Sequence, residues 1–375
     1  MTTDLRAAMR DRQAGMLDDL AVLVGTESPS DDLVATARCA QVVADLGRRL
    51  LGASPQTLTA QGRTHLAWRF GTPRVLLLGH FDTVWPIGTL ARWPFEVRDG
   101  MATGPGVFDM KAGIVAGFHA LAALDDLDGV AVLLTSDEEI GSDTSRAIIE
   151  DTARGLDAVL VLEPSAAGAV KVGRKGASNY ELAIRGRAAH AGLEPENGIN
   201  ALVELAHQVL ALQRLARPHE GTTVTPTVAS AGTGTNVVPE LARVAVDVRV
   251  ATVAEQARVD AAIRTTAAVL PGARLSVGGG PNRPPLAEEM SRPLYERLVR
   301  VATTLGLDPP GAAHVGGASD GNFTAALGVP TLDGLGAVGD GAHAEGEHVE
   351  VASLPERAAV VAALTDELRR GGSRR

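Results

Sequence analysis

The chain of 375 residues holds a single cysteine, Cys39, so no intrachain disulfide can form and a reducing compartment suits it. A lone thiol far in sequence from other reactive groups reads as a small core residue. Aromatic residues make up only 3%, which argues against platforms for stacking nucleic-acid bases. Basic residues are outnumbered, 35 against 45 acidic, for a net charge of -10. Phosphate binding needs clustered Lys and Arg, so nucleic acid is not an expected partner. No run approaches the ~20 apolar residues of a membrane span. The first residues, MTTDLRAAMRDRQAGMLDDLAVLV, alternate charged and apolar positions like an amphipathic helix and lack the apolar segment of a signal peptide. The expectation is a cytoplasmic protein without a membrane partner. Internal repeats and low-complexity tracts are missing from the sequence too.

What is present points to an enzyme-sized α/β protein. A hydrophobic content of 45% supports real cores, and the length exceeds what one core usually fills, so two domains are expected. Apolar runs at Arg74–Gly79, Val130–Thr135 and Ala158–Leu162 read as buried strands, with a helical pattern in MKAGIVAGFHALAALDDL between the first two. That alternation predicts an α/β fold with a mixed, largely parallel sheet flanked by helices. From about Ala177 the order becomes strand, helix, strand, strand, helix, strand. This β-α-β-β-α-β series is the ferredoxin-like order and predicts an inserted domain. The expected division is 1–176 and 285–375 for the larger domain and 177–284 for the insertion. A last helix is predicted from about Leu354, with Ser353 and Glu356 as a capping box, and the tail GGSRR is expected to fray.

Chemistry concentrates at or just beyond the ends of the apolar runs. His80 and Asp82 are two apart, so in an extended segment they share a face. His80 suits metal ligation through one ring nitrogen, with Asp82 holding the other ring N–H. Asp109 lies in the Gly- and Pro-rich turn GPGVFDMKAG, and a carboxylate has two oxygens with which to bridge two cations. Glu138 and Glu139 follow a strand directly and diverge, so one can ligate while the other faces a bound water. Two adjacent glutamates there would be costly to bury without metal or partners. Glu163 ends the next strand, and His343 sits in the Gly-rich GAHAEG. Histidines 119, 207 and 219, in or beside helical patterns, carry no role, and His65, His314 and His348 read as ordinary surface or loop residues.

These motifs resemble those of the zinc metallohydrolases that include carboxypeptidase G, acetylornithine deacetylase, succinyl-diaminopimelate desuccinylase and aminoacylase. The resemblance, nearest in look to carboxypeptidase G, is carried by GHFDTV from Gly79, GPGVFDMKAG from Gly104, SDEEIGS from Ser136 and LEP from Leu162. It continues with RAAHAG from Arg187, GTGTNVVP from Gly232, DVR from Asp247, GGASDGNF from Gly316 and the late histidine in GAHAEGEHV. It implies two zinc ions per subunit, with cobalt or manganese as possible substitutes. One would be held by His80, Asp109 and Glu163, the other by Asp109, Glu139 and His343, with Asp109 bridging. Glu138 is then the general base and acid, Asp82 supports His80, and the metals, about 3.5–4 Å apart, polarise the amide carbonyl. Glu163, where relatives vary between Asp and Glu, fits the carboxypeptidase and deacylase branches.

The same resemblance makes His190 the oxyanion donor, reaching across a homodimer, and Asn236 a second polar contact to substrate. Arg283 falls where such enzymes hold the substrate α-carboxylate, a task its planar fork suits. Lys175 and Arg249 would add charge for an acidic side chain. The implied reaction is release of a C-terminal amino acid, glutamate first, from a small N-acyl or peptidyl substrate. The alternative within the family is an N-acyl-amino-acid deacylase or desuccinylase.

Two readings from other classes compete. Gly317–Gly321 matches G-x-S-x-G, and Ser319 with Asp333 or Asp340 and His343 follows a serine-hydrolase order. Ser319 comes very late in the chain, however, and this reading leaves the strand-end acids without a purpose. A non-catalytic metal-binding protein is the other, against which the base, ligands and oxyanion candidate all stand. GTGTNVVP is no phosphate loop, since no helix follows it.

Overall fold

The structure is a computed structural model, and it describes residues 2–371. Residues 372–375 of the tail expected to fray lie outside the described residues. The chain divides into two compact units. The first comprises the chain up to Gly173, Leu286–Val315 and the chain from Ser319, and the second comprises Arg174–Pro285 with Gly316–Ala318.

A six-stranded sheet organises the first unit. Val130–Thr135, Val75–His80, Ala158–Val161 and Thr331–Leu332 run parallel in that order, and Arg63–Arg69 then Gln56–Ala60 extend it antiparallel at one edge. The fold is thus α/β with a largely parallel sheet, as the alternation of patterns predicts. Its central strands are continuous apolar runs because both faces are covered. Leu77, Val132 and Leu160 pack with helices Leu33–Leu51, Ala112–Leu121 and Ser353–Arg369 on one face. Leu76, Leu78, Leu133 and Val159 pack on the other with Ile149 and Phe323, from helices Arg146–Ala153 and Gly321–Ala326. Cys39 is fully buried in the first of these cores.

The second unit has the strand and helix order read from the sequence. Strands Gly176–Arg185, Thr223–Ala231, Leu241–Val250 and Arg274–Arg283 alternate with helices Ala201–Gln213 and Val253–Arg264. All pairings are antiparallel, and Leu241–Val250 lies between Thr223–Ala231 and Gly176–Arg185. Val244, Val246 and Val248 point one way into its core with Leu182, Ile184 and Val259.

The last helix corrects one expectation. Ser353 stands inside it, and its hydroxyl donates to the carbonyl of Glu350 at 2.7 Å instead of accepting from the first turn. Glu356 pairs with Arg6 at 2.9 Å, so the capping box does not form. Among the described residues no helix is long and apolar enough to cross a membrane.

Candidate metal centre

Parallel strands deliver their C-terminal ends, with whatever follows them, to one edge of the sheet. His80 is the last residue of its strand, Glu138 and Glu139 follow Val130–Thr135 in a tight turn, and Glu163 follows Ala158–Val161. Asp109 comes from the turn Val107–Lys111, which precedes the Ala112–Leu121 helix. The Asp109–Met110 peptide is cis. Gly113 lets that helix start against the strand end, because a Cβ there would lie 2.1 Å from the Leu162 carbonyl oxygen. His343 occupies a left-handed conformation, φ 64°, in a loop after Gly339–Asp340. A non-glycine residue held there at a chemical centre fits backbone strain retained for function.

These side chains converge. His80 Nε2 lies 3.3 Å from Asp109 Oδ1, 3.5 Å from Glu163 Oε1 and 4.0 Å from Glu138 Oε2. His343 Nε2 lies 3.4 Å from Asp109 Oδ2 and 3.0 Å from Glu139 Oε2. Asp109 therefore turns one oxygen toward each histidine, the arrangement a bridging carboxylate needs. His80 Nε2 and Asp109 Oδ1 are buried and have no hydrogen-bond partner among the described residues. Donor atoms of His80, Glu138 and Glu163, and of His80, Asp109 and Glu139, fall within 4.8 Å of one another. Oxygen and imidazole donors this close fit divalent cations, which would satisfy the orphaned atoms.

The electrostatics carry the same message. Burial raises Glu139 to about 7 against the opposing bond to His343, and the nearby Asp109 charge adds to the rise. Bonds to Asp109 and then Glu139 raise His343 to about 10. Burial works against protonation of His80, but the neighbouring carboxylates of Asp109, Asp82 and Glu163 outweigh it and hold the ring well above its usual range. Asp109 is pushed up by burial, yet the neighbouring rings of His343 and His80 hold it well below. The cluster concentrates negative charge that wants a cation.

Surrounding residues hold the candidate ligands, and several escaped the sequence reading. His80 Nδ1 lies 3.1 Å from the Asp82 carbonyl and 3.4 Å from its Oδ1. The Asp82 carboxylate also accepts the Ser30 hydroxyl at 2.7 Å and the backbone N–H groups of Glu138 (3.3 Å) and Glu139 (3.2 Å). His65 is not a surface residue: it is fully buried, accepts the Ser136 N–H on Nδ1 and touches the Thr144 hydroxyl at 3.1 Å. Asp137 accepts from Thr144 and so closes the turn around Glu138. Glu347 is buried and accepts four N–H groups around Asp109. Its only signal in the sequence is its place four residues after His343. Lys171 Nζ stands 3.7 Å from the second oxygen of Glu163.

Ser319 does not form a serine triad. It is fully buried and donates to Asp333 at 2.6 Å, while His343 makes its contacts with Asp109 and Glu139. In the second unit, His190 and Asn236 are exposed and their loop segments are joined by the Ala191 N–H bonding the Asn236 carbonyl at 2.8 Å. Arg283 is buried at the end of its strand, and Lys175, one residue before the Gly176–Arg185 strand, is half-buried. Arg249 forks onto Asp247 through three bonds of 2.9 to 3.1 Å.

A strand-end cluster of carboxylates and imidazoles on this fold defines a metal-dependent hydrolase. The sequence profile of Peptidase family M20/M25/M40 matches residues 76–367, and the chain belongs to that family. Carboxypeptidase G2 of Pseudomonas sp. (strain RS-16) is 34% identical over 316 residues, covering 80% of this chain and 75% of the relative. A succinyl-diaminopimelate desuccinylase of Dechloromonas aromatica (strain RCB) is 36% identical over 176 residues, 42% of this chain and 46% of that one. Among solved structures, the M20 family metallo-carboxypeptidase Sso-CP2 from Sulfolobus solfataricus superposes with a TM-score of 0.74. That likeness covers 94% of this chain and 99% of the other at 15% identity, and it speaks for the fold.

Proposed function

We propose that the chain is a two-metal amide hydrolase that releases a C-terminal amino acid, glutamate first, from an N-acyl or peptidyl substrate. The observation that carries the two-metal part is Asp109, with one oxygen toward His80 and the other toward His343. His80, Asp109 and Glu163 would hold one cation and Asp109, Glu139 and His343 the other, zinc in the native enzyme and cobalt or manganese as substitutes. When bound, the pair polarises the amide carbonyl and makes water acidic enough to react near neutral pH.

The chain's own groups do the rest. Glu138 is oriented by Asp82 through its backbone N–H, takes a proton from water and passes it to the leaving nitrogen. His190 accepts the N–H groups of Gly192 and Leu193 on Nδ1, both at 3.1 Å, so its neutral ring carries the proton on Nε2. Nε2 is then free to donate to a developing oxyanion. In this proposal the second unit pairs two copies of the chain, His190 serves the partner's centre and Asn236 contacts substrate. Arg283 binds the α-carboxylate, and Lys175 receives the acidic side chain. Arg249, committed to Asp247, takes a lesser part.

Similarity to carboxypeptidase G2 along most of both chains supports release of a C-terminal amino acid. The desuccinylase matches favour a second reading, removal of an acyl group from an amino acid, but they span less than half of either chain. The test is amino-acid release from a panel of N-acyl and α- or γ-linked dipeptides by zinc-loaded enzyme. Glutamate or aspartate release is expected, and Arg283→Lys should lower kcat/KM for it about tenfold to a hundredfold, as loss of a charge-assisted bond does. Turnover of neutral or basic substrates alone would overturn the glutamate assignment and leave the metal chemistry standing.

A further inference from the structure

The Gly104–Lys111 turn must present Asp109 to both histidines. It is closed on itself by N–H bonds from Val107 to Gly104 and from Lys111 to Gly106, and Glu347 anchors it from outside. Its carboxylate is fully buried, and four N–H groups converge on it. Phe108 and Asp109 donate their backbone N–H groups to Oε1 at 2.8 and 2.9 Å. Gly106 N–H and the Trp85 indole donate to Oε2 at 3.0 and 2.9 Å. An acceptor-only group satisfies all four, whereas an amide would aim its own N–H at two of them. Glu347 also ends the short loop that carries His343, closed by N–H bonds from Ala344 to Gly341 and from Glu347 to Ala344. One side chain thus ties the bridging carboxylate to the loop of the second histidine, across 238 residues of sequence.

We propose that Glu347 is a positioning residue of the metal centre, holding the Asp109 peptide in register with His343 so that both sides of the bridge form together. The inference rests on the two-metal reading above. Groups that orient ligands typically control metal affinity by about 10–100-fold.

The test compares full-length wild type with Glu347→Gln, Glu347→Asp and the control Val349→Ala, a buried core change in the adjoining strand. Zinc affinity is read by competition with a chromogenic chelator, ligand geometry by the visible spectrum of the cobalt form, and folding by thermal melting. Glu347→Gln should bind zinc about 10–100-fold more weakly and show an altered cobalt spectrum, with Glu347→Asp recovering part of the affinity. Val349→Ala should melt lower yet keep affinity and spectrum. If Glu347→Gln fails to fold, an altered cobalt spectrum in Glu347→Asp carries the test. Wild-type affinity and spectrum in the folded Glu347 variants would overturn the positioning role while leaving the metal centre intact. Wild type that binds no metal would overturn the two-metal reading and this inference with it.

Discussion

Neighbouring residues in this site have opposite fates, and the backbone decides them. Glu139 leans to His343, 3.0 Å away, while Glu138 faces His80 at 4.0 Å. Both backbone N–H groups hang on the single carboxylate of Asp82. The candidate ligands stood out in the sequence because each follows an apolar run or sits in a glycine-rich turn, where a polar residue has a reason to be. Ser30 and Glu347 did not, because an acid or hydroxyl in a loop looks solvated until tertiary contacts 50 or more residues away bury it, and His65 lies in the Arg63–Arg69 strand, whose mixed polar sequence does not announce its burial. Glu138→Gln keeps the shape and the bond to Asp82 but removes the proton acceptor. It should lower kcat about 10²–10⁴-fold with zinc content unchanged by metal analysis; loss of bound zinc would instead make Glu138 a ligand.

At the scale of elements, the long strands announced themselves and the short ones did not. Val75–His80 and Val130–Thr135 are buried along their whole length, so an unbroken apolar run was a sound signal. The ladders formed by Met101–Thr103, His348–Glu350 and Gly339–Asp340 are two or three residues long and have no period to read. Ser353 failed as a cap because a sequence pattern does not say which way a hydroxyl turns. In the second unit, the Val253–Arg264 helix is anchored by Glu255, bonded to Arg258, Thr222 and Arg217. The Arg258 bond is the main reason its carboxyl falls to about 2. A depressed carboxylate stabilises the fold above its unfolded value of about 4.3, and that contribution is lost as pH falls toward 2. Wild type should therefore melt above Glu255→Gln near neutral pH, and the gap should narrow steadily below about pH 4.5. A gap independent of pH would assign the helix anchor to the neutral hydrogen bonds.

For the whole molecule, the proposed division of labour follows the units. Every residue of the metal cluster belongs to the first unit, while His190, Asn236, Arg283, Lys175 and Arg249 belong to the second. Alternating strand and helix patterns made the first unit legible as α/β, and the β-α-β-β-α-β order made the insertion legible as a separate sheet. The side chains proposed to choose the substrate were far less legible, because their pattern is not periodic, and one of them, Arg249, is bonded to Asp247. The proposed amide hydrolysis requires two cations bound by this cluster. The most direct measurement is metal analysis of purified enzyme, coupled to hydrolysis before chelation, after chelation and after titration with zinc. Two zinc ions per chain are expected, with activity lost on stripping and restored as the ions return. Full activity in protein shown to be metal-free would contradict it.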